Sequence, residues 1–106
     1  MPVSCLEKEQ VLTAQIVGEV DHHAARSLME ELSRHIDDSL PRELRIDLGG
    51  VTFMDSSGIA VVLRTWKRLR EYGGALKLCR VPPQSAKVLK AAGVDKLVTW
   101  ETEPGE

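Results

Sequence analysis

The sequence predicts an α/β domain, a small mixed β-sheet of four to five strands flanked by three to four helices. Short apolar runs rich in β-branched residues alternate along the chain with longer segments whose apolar residues repeat at helical spacing. Glycine pairs or prolines separate most of these segments. The 106 residues, 42% of them hydrophobic, can bury one core and leave no room for a second domain.

The first part of the chain predicts a β-hairpin followed by a helix. Residues 10–18 carry apolar side chains on both faces, so we expect a well-buried strand that ends at Gly18. A turn at residues 8–9 pairs it with a shorter strand before it. Residues 22–38 have the apolar spacing of an amphipathic helix. Asp21 is the expected N-cap, because its side-chain oxygen can accept hydrogen bonds from the first backbone N–H groups.

The middle of the chain predicts a strand and a second amphipathic helix. Residues 44–48 alternate as a short strand, which the glycine pair 49–50 interrupts. The apolar segment 51–54 then leads into a helix whose stripe runs over residues 59–69. The glycine pair 73–74 is expected to end that helix as a C-cap.

The last part of the chain predicts one more strand and helix before a tail. Residues 75–81 form the strand, and the proline pair at 82–83 opens a helix that extends to about residue 92. Residues 97–98 can add a last short strand. We therefore assign residues 1–100 to the domain and residues 101–106 to a solvated acidic tail.

Charge and cysteine usage exclude several classes of protein. Fourteen basic and sixteen acidic side chains give a formal net charge of -2, without the basic surplus of a protein that binds nucleic acid non-specifically. No apolar run approaches the ~20 residues of a membrane helix, and we expect no secretory signal, because the first residues lack a basic region followed by a long apolar stretch. Cys5 and Cys79 are too few for a disulfide framework or a four-ligand zinc site, and we expect buried thiols. The expected location is cytoplasmic, with neither nucleic acid nor membrane as a partner.

The most unusual segment is the junction at residues 53–59 (Phe-Met-Asp-Ser-Ser-Gly-Ile), where small polar residues directly precede a predicted helix. A helix N-terminus exposes unpaired N–H groups and about half a positive charge, so it accommodates an anion. A phosphate on a serine at this position would be stabilised there, and Gly58 would let a protein or nucleotide approach the backbone closely. The simpler alternative is that Asp55 or Ser56 is only an N-cap.

The sequence gives less support for a catalytic site or a metal site than for a phosphorylated helix start. The Gly-x-Ser-x-Gly nucleophile motif is absent, and only three histidines are available to activate a serine. Adjacent residues on a helix diverge by ~100°, so His22 and His23 are poorly spaced to share one ion, and no third ligand accompanies them. No phosphate-binding glycine motif occurs either. We therefore expect a protein that is not an enzyme, with no cofactor and no metal.

Three motifs together resemble one known family. Gly-Glu-Val-Asp-His-His-Ala at 18–24, the junction at 53–59 and Tyr-Gly-Gly at 72–74 are similar, in order and spacing, to the STAS-domain family of anti-sigma factor antagonists. The similarity extends from about Val3 to Val98 and is greatest to the sporulation branch, which antagonises the anti-sigma F factor. The segment departs from the family's frequent Gly-Leu-Gly at two positions, because Ile59 and Ala60 follow Gly58 here.

The resemblance implies a switch operated by phosphorylation of Ser56. In this family the unphosphorylated protein binds an anti-sigma factor that is also a serine kinase with bound nucleotide, and thereby frees the sigma factor, here expected to be sporulation sigma F. The kinase then phosphorylates the serine, and a PP2C-type phosphatase restores the active form. Asp21 is expected beside the phosphorylation site. The residues that the resemblance assigns to partner binding are Asp21, His22, His23, Asp55, Ser56, Ser57 and Gly58.

Two other functions of a STAS domain stay open. The chain could be a subunit of a lipid or anion transport system and bind a transporter rather than a kinase. It could also be a general-stress antagonist of the same design, acting on another sigma factor. The serine pair and the Asp-His-His segment favour an anti-sigma factor antagonist.

Overall fold

The computed structural model describes residues 3–102, which form a five-stranded sheet and three α-helices. The predicted α/β class is confirmed. In chain order the elements are β1 (Val3–Lys8), β2 (Val11–Val20), α1 (His22–Ser39), β3 (Glu43–Met54), α2 (Ser57–Arg70), β4 (Ala75–Val81), α3 (Pro83–Ala91), a 3-10 turn (Val94–Lys96) and β5 (Thr99–Thr102). No helix within residues 3–102 is long and apolar enough to cross a membrane.

The strands lie in the sheet in the order in which they occur in the chain, β1-β2-β3-β4-β5. β1 pairs with β2 in the antiparallel direction, and the other neighbours are parallel. A turn at Glu9 and Gln10 joins the first two strands, one residue later than predicted. Both turn residues have positive φ, which is typical of the two-residue hairpin loop that matches the twist of the strands.

One face of the sheet packs against the helices and forms the core. Leu12, Ala14 and Ile16 of β2 are buried on this face, and the inward residues of β3 and β4 are buried beside them. The opposite face carries exposed and half-buried side chains, among them Val17, which is 52% exposed. The prediction that β2 is buried on both faces is therefore wrong. Periodicity identified the strand, but it does not tell whether a second layer covers it.

An ion pair between Arg80 and Asp47 lies on the exposed face. Arg80 donates two hydrogen bonds to the carboxylate of Asp47, at 2.9 and 2.8 Å, and the Gly49 N–H donates a third to the same carboxylate. Partial burial acts to raise the pKa of Asp47, but these hydrogen bonds and the charge of Arg80 outweigh it and hold the pKa below its ordinary value. The pair is therefore ionised at neutral pH.

Both strands that were predicted to stop at glycines continue through them. Gly18 has φ of +97° at a shift in the register between β2 and β3, and β2 extends to Val20. Gly49 lies under the guanidinium group of Arg80, which occupies the space that a Cβ would need. The prediction that a glycine pair interrupts β3 is wrong, because these glycines permit irregular pairing rather than chain reversal.

The helices begin and end close to the predicted positions. α1 covers residues 22–39, α3 begins at Pro83, and the segment after α2 turns at Gly73, which has φ of +87°. The Gly74 N–H donates to the carbonyl of Leu69 over 2.8 Å, as expected for a glycine-terminated helix.

The C-terminal strand lies further along the chain than predicted. β5 comprises Thr99–Thr102 rather than residues 97–98, and Glu101 forms an ion pair of 3.3 Å with Lys77 of β4. The domain therefore includes residues assigned above to the acidic tail, and residues 103–106 lie outside the described part of the chain. Cys5 and Cys79 are free thiols but only half-buried, and burial raises the pKa of both.

Candidate functional site

Two strand-to-helix junctions lie side by side at one edge of the sheet. β2 and β3 are parallel neighbours, and their last residues, Val20 and Met54, are opposite each other in the register. The Asp55 N–H donates to the carbonyl of Val20 over 3.1 Å, which ties the second junction to the first. Asp21 and Asp55 are therefore the first residues after two paired strand ends, and α1 and α2 both begin at the same edge of the sheet.

Asp21 is the N-cap of α1, as predicted. Its Oδ1 accepts hydrogen bonds from the N–H groups of His23 at 3.1 Å and Ala24 at 3.0 Å. These bonds satisfy two of the backbone donors that a helix N-terminus leaves without an intrahelical partner. Asp21 consequently has a structural role beside any contact it makes with a partner.

We expect Asp21→Ala to lower the free energy of unfolding by about 1 kcal/mol, because it removes the cap of an 18-residue helix. Asp21→Asn is the matched control, since it keeps a capping oxygen and removes only the charge. Urea unfolding of the three proteins measures the difference. Equal losses in both variants would contradict the capping role and assign the effect to the charge.

The two candidate caps of α2 have different surroundings. Ser56 is exposed and occupies the N-cap position, yet its side chain makes no capping hydrogen bond. Asp55 accepts instead, with Oδ1 2.8 Å from the Ser57 nitrogen. The alternative that Asp55 or Ser56 is an ordinary cap therefore holds for Asp55. The hydroxyl of Ser56 is left at the surface without a capping role.

The first N–H groups of α2 already have acceptors. Ser57 donates to the carboxylate of Asp55, Gly58 donates to its carbonyl at 3.0 Å, and Ile59 donates to the Ser56 carbonyl at 3.1 Å. The expectation that unpaired donors would hold a phosphate on a serine of the junction is therefore wrong for the N–H groups of Ser57, Gly58 and Ile59. A phosphate would have to compete with Asp55 for the Ser57 N–H.

Gly58 has a different role from the one its position suggested. It is buried, and a Cβ added to it would lie 2.5 Å from Cγ and 2.6 Å from Sδ of Met54. The space that seemed open to a partner is filled by the Met54 side chain, which is itself 1% exposed. Gly58 thus permits close packing between the end of β3 and the first turn of α2.

The histidine pair lies at the start of α1, where both side chains are exposed. The ring centroids of His22 and His23 are 4.0 Å apart with an angle of 38° between the planes, so the rings approach each other rather than diverge. Within residues 3–102, no group of three or more His, Cys, Asp or Glu side chains could hold a metal ion.

Two residues at or near the junction have surroundings that the sequence did not predict. Phe53 is 44% exposed, an unusual position for an aromatic ring at the end of a strand. Gln84, in the first turn of α3, hydrogen-bonds both main-chain groups of Met54. In the sequence Gln84 is distinguished only as a polar residue that follows a proline pair. Its hydrogen-bond partner Met54 lies 30 residues away in the chain.

Comparison with known proteins assigns the family. The sequence profile of the STAS domain matches residues 3–105. This chain belongs to the STAS-domain family. The segments 18–24, 53–59 and 72–74, which carry the resemblance noted above, lie at the paired junctions and at the end of α2.

Two curated relatives are similar over most of their length. An anti-sigma F factor antagonist of Paenibacillus polymyxa is 30% identical over 88 residues, which are 83% of this chain and 75% of the relative. An anti-sigma-B factor antagonist of Bacillus subtilis is 29% identical over 96 residues, covering 91% and 86% of the two chains.

A solved structure shows the same fold. The anti-sigma factor antagonist SpoIIAA in its unphosphorylated form aligns with a TM-score of 0.81 at 24% identity. The alignment covers 95% of this STAS protein and 89% of SpoIIAA. The predicted mixed sheet with flanking helices is thereby confirmed.

Proposed function

We propose that this STAS protein is an anti-sigma factor antagonist. Its unphosphorylated form binds an anti-sigma factor that is a serine kinase with bound nucleotide, and the bound anti-sigma factor releases its sigma factor. The observation that carries the proposal is the exposed Ser56 hydroxyl at the start of α2. This hydroxyl lies at the same sheet edge as the capped start of α1. The two relatives described above are named as anti-sigma factor antagonists.

Phosphorylation of Ser56 ends the interaction by charge and size. A phosphate adds about -1.5 to -2 charges, so the formal net charge of -2 becomes roughly -4. The added charge lies next to the carboxylate of Asp55, which already accepts the Ser57 N–H. A hydrated anion then occupies the surface that the partner contacts, and no change of fold is needed. A PP2C-type phosphatase reverses the modification.

The sigma factor is either of two kinds. Sporulation sigma F agrees with the junction motif and with the Paenibacillus polymyxa relative, whereas the Bacillus subtilis relative favours a general-stress sigma factor. Both use the same site in this proposal, so the distinction depends on which anti-sigma factor the surface around Ser56 fits. The contacts we assign to that surface come from Asp21, His22, His23, Asp55, Ser56 and Ser57.

We expect incubation with ATP and a cognate anti-sigma kinase to add one phosphate to Ser56, detectable as an increase in intact mass. Kinases of the sporulation and general-stress types are tested side by side, and preferential modification by one identifies the pathway. Ser56→Ala should take no phosphate, whereas Ser57→Ala should still be modified. Absence of modification by both kinases would contradict the proposal and favour a transport-system subunit.

A further inference from the structure

The last residues of β3 extend beyond the ladder that pairs β3 with β4. The ladder between β3 and β4 runs from Glu43 opposite Ala75 to Asp47 opposite Cys79, whereas β3 continues to Met54. Arg80, near the end of β4, has φ of +49°, and the register between β4 and β5 shifts between Leu78 and Val81. The last part of β3 therefore needs other partners for its N–H and C=O groups on this side, because such groups are costly to leave unpaired when buried.

Gln84 supplies both partners at Met54. Its Oε1 accepts from the Met54 N–H at 2.8 Å, and its Nε2 donates to the Met54 carbonyl at 2.8 Å. A glutamine side chain can do this because its amide oxygen and the N–H cis to that oxygen point to the same side, as the N–H and C=O of one strand residue do. The amide of Gln84 thus acts as one additional residue of a strand next to β3.

The proline pair fixes the position of this amide. Pro82 is the N-cap of α3 with an extended backbone, and Pro83 is the first helical residue. Proline has a restricted φ, so the two residues set the direction in which α3 leaves the sheet. Gln84 follows immediately and reaches back to β3 from the first turn of α3.

Met54 connects this contact to the candidate site. On its other side Met54 is paired in register with Val20 of β2, so its main chain lies between β2 and Gln84. Its side chain packs against Gly58 in the first turn of α2, at a distance that leaves no space for a Cβ. The residues between these two anchors are Asp55, Ser56 and Ser57.

We propose that Gln84 is a positioning residue for Ser56. By holding Met54 at the end of β3, it fixes the point from which the junction to α2 begins, and so couples α3 to the presentation of the Ser56 hydroxyl. The role in phosphorylation rests on the proposed function. The mechanical part, that Gln84 restrains Met54 and the following residues, does not.

The test compares Gln84→Met with Lys87→Met. Methionine keeps the length of the glutamine side chain but lacks the amide, and Lys87 is an exposed residue in the same helix. In Gln84→Met we expect the protection factor of the Met54 amide against hydrogen exchange to fall about 10-fold, because the variant lacks both hydrogen bonds to Met54. The amide NMR signals of residues 55–57 should shift with it, whereas Lys87→Met leaves both unchanged.

Phosphorylation kinetics then test the link to Ser56. We expect kcat for Ser56 phosphorylation to fall about 10-fold in Gln84→Met while KM is conserved, because a small displacement of the reacting group affects chemistry more than docking. The N–H and C=O of buried Met54 lose their partners in Gln84→Met, so some loss of stability is expected and the rates are measured well below the unfolding midpoint. An equal loss of exchange protection at all amides, rather than one centred on Met54 and residues 55–57, would reveal a merely structural role.

Three further results would overturn the proposal. Wild-type protection of the Met54 amide in Gln84→Met would show that the two hydrogen bonds restrain nothing. Lost protection with an unchanged kcat would show that the restraint does not position Ser56. A wild-type protein that neither kinase phosphorylates would remove the role at Ser56 together with the proposed function, while the amide measurements would still decide whether Gln84 holds Met54.

Discussion

Ser56→Asp is expected to weaken binding of the anti-sigma factor about 150-fold, which corresponds to ~3 kcal/mol. The substitution places a permanent negative charge beside the carboxylate of Asp55 at the start of α2. Ser56→Ala removes only a hydroxyl that makes no capping hydrogen bond, so it should bind within a few-fold of the wild type. It should also resist inactivation by ATP. Titration calorimetry with the nucleotide-bound anti-sigma factor measures both affinities.

Ser33→Asp is the matched control for this effect. Ser33 is also exposed and the substitution adds the same charge, but it lies on α1 eleven residues after the helix start. At a rise of ~1.5 Å per residue, that position is about 16 Å along the axis from His22. We expect its affinity to equal that of the wild type. If Ser56→Asp bound as tightly as Ser33→Asp, charge at the junction would not be the switch.

Gly58→Ala is expected to lower the free energy of unfolding by about 1–3 kcal/mol, although alanine is the better helix former. The new Cβ would lie 2.5 Å from Cγ of Met54, and that side chain is buried and has little room to move. In a domain of about 100 residues each kcal/mol shifts the unfolding midpoint by roughly 4–8 °C. Calorimetric or circular-dichroism melting curves detect such a shift.

A double-mutant cycle with Met54→Ala identifies the clash as the cause. Met54→Ala alone creates a cavity and should be destabilising by itself. In that background Gly58→Ala has space for its Cβ, so we expect it to be neutral or stabilising. A Gly58→Ala protein that is more stable than the wild type would instead mean that helix propensity dominates and that Met54 yields freely.

Much of the fold could be predicted because local patterns determine it. The apolar spacing of α1, the proline pair before α3 and the glycine after α2 each act within a few residues of the boundary that they set. The same is true of Asp21, whose capping partners lie two and three residues further along. Where cause and effect are close in sequence, the residues are sufficient evidence.

The wrong predictions concern contacts between distant residues. Gly49 was expected to break a strand, but its role depends on the guanidinium group of Arg80, which covers it from β4. Gly58 was expected to face a partner, and Met54 fills that space. Gln84 carried no recognisable signal, because its function depends on a strand end that only the folded sheet brings within reach.

The order of the strands has a consequence for how the chain acquires its fold. Each strand pairs with the one made just before it, so none has to be inserted between two that are already paired. Pairing between distant segments slows folding because long loops must close first. This sheet can instead grow from β1 outward as the polypeptide leaves the ribosome. Gln84 emerges 30 residues after Met54, so the segment that carries Ser56 receives its last support late in synthesis.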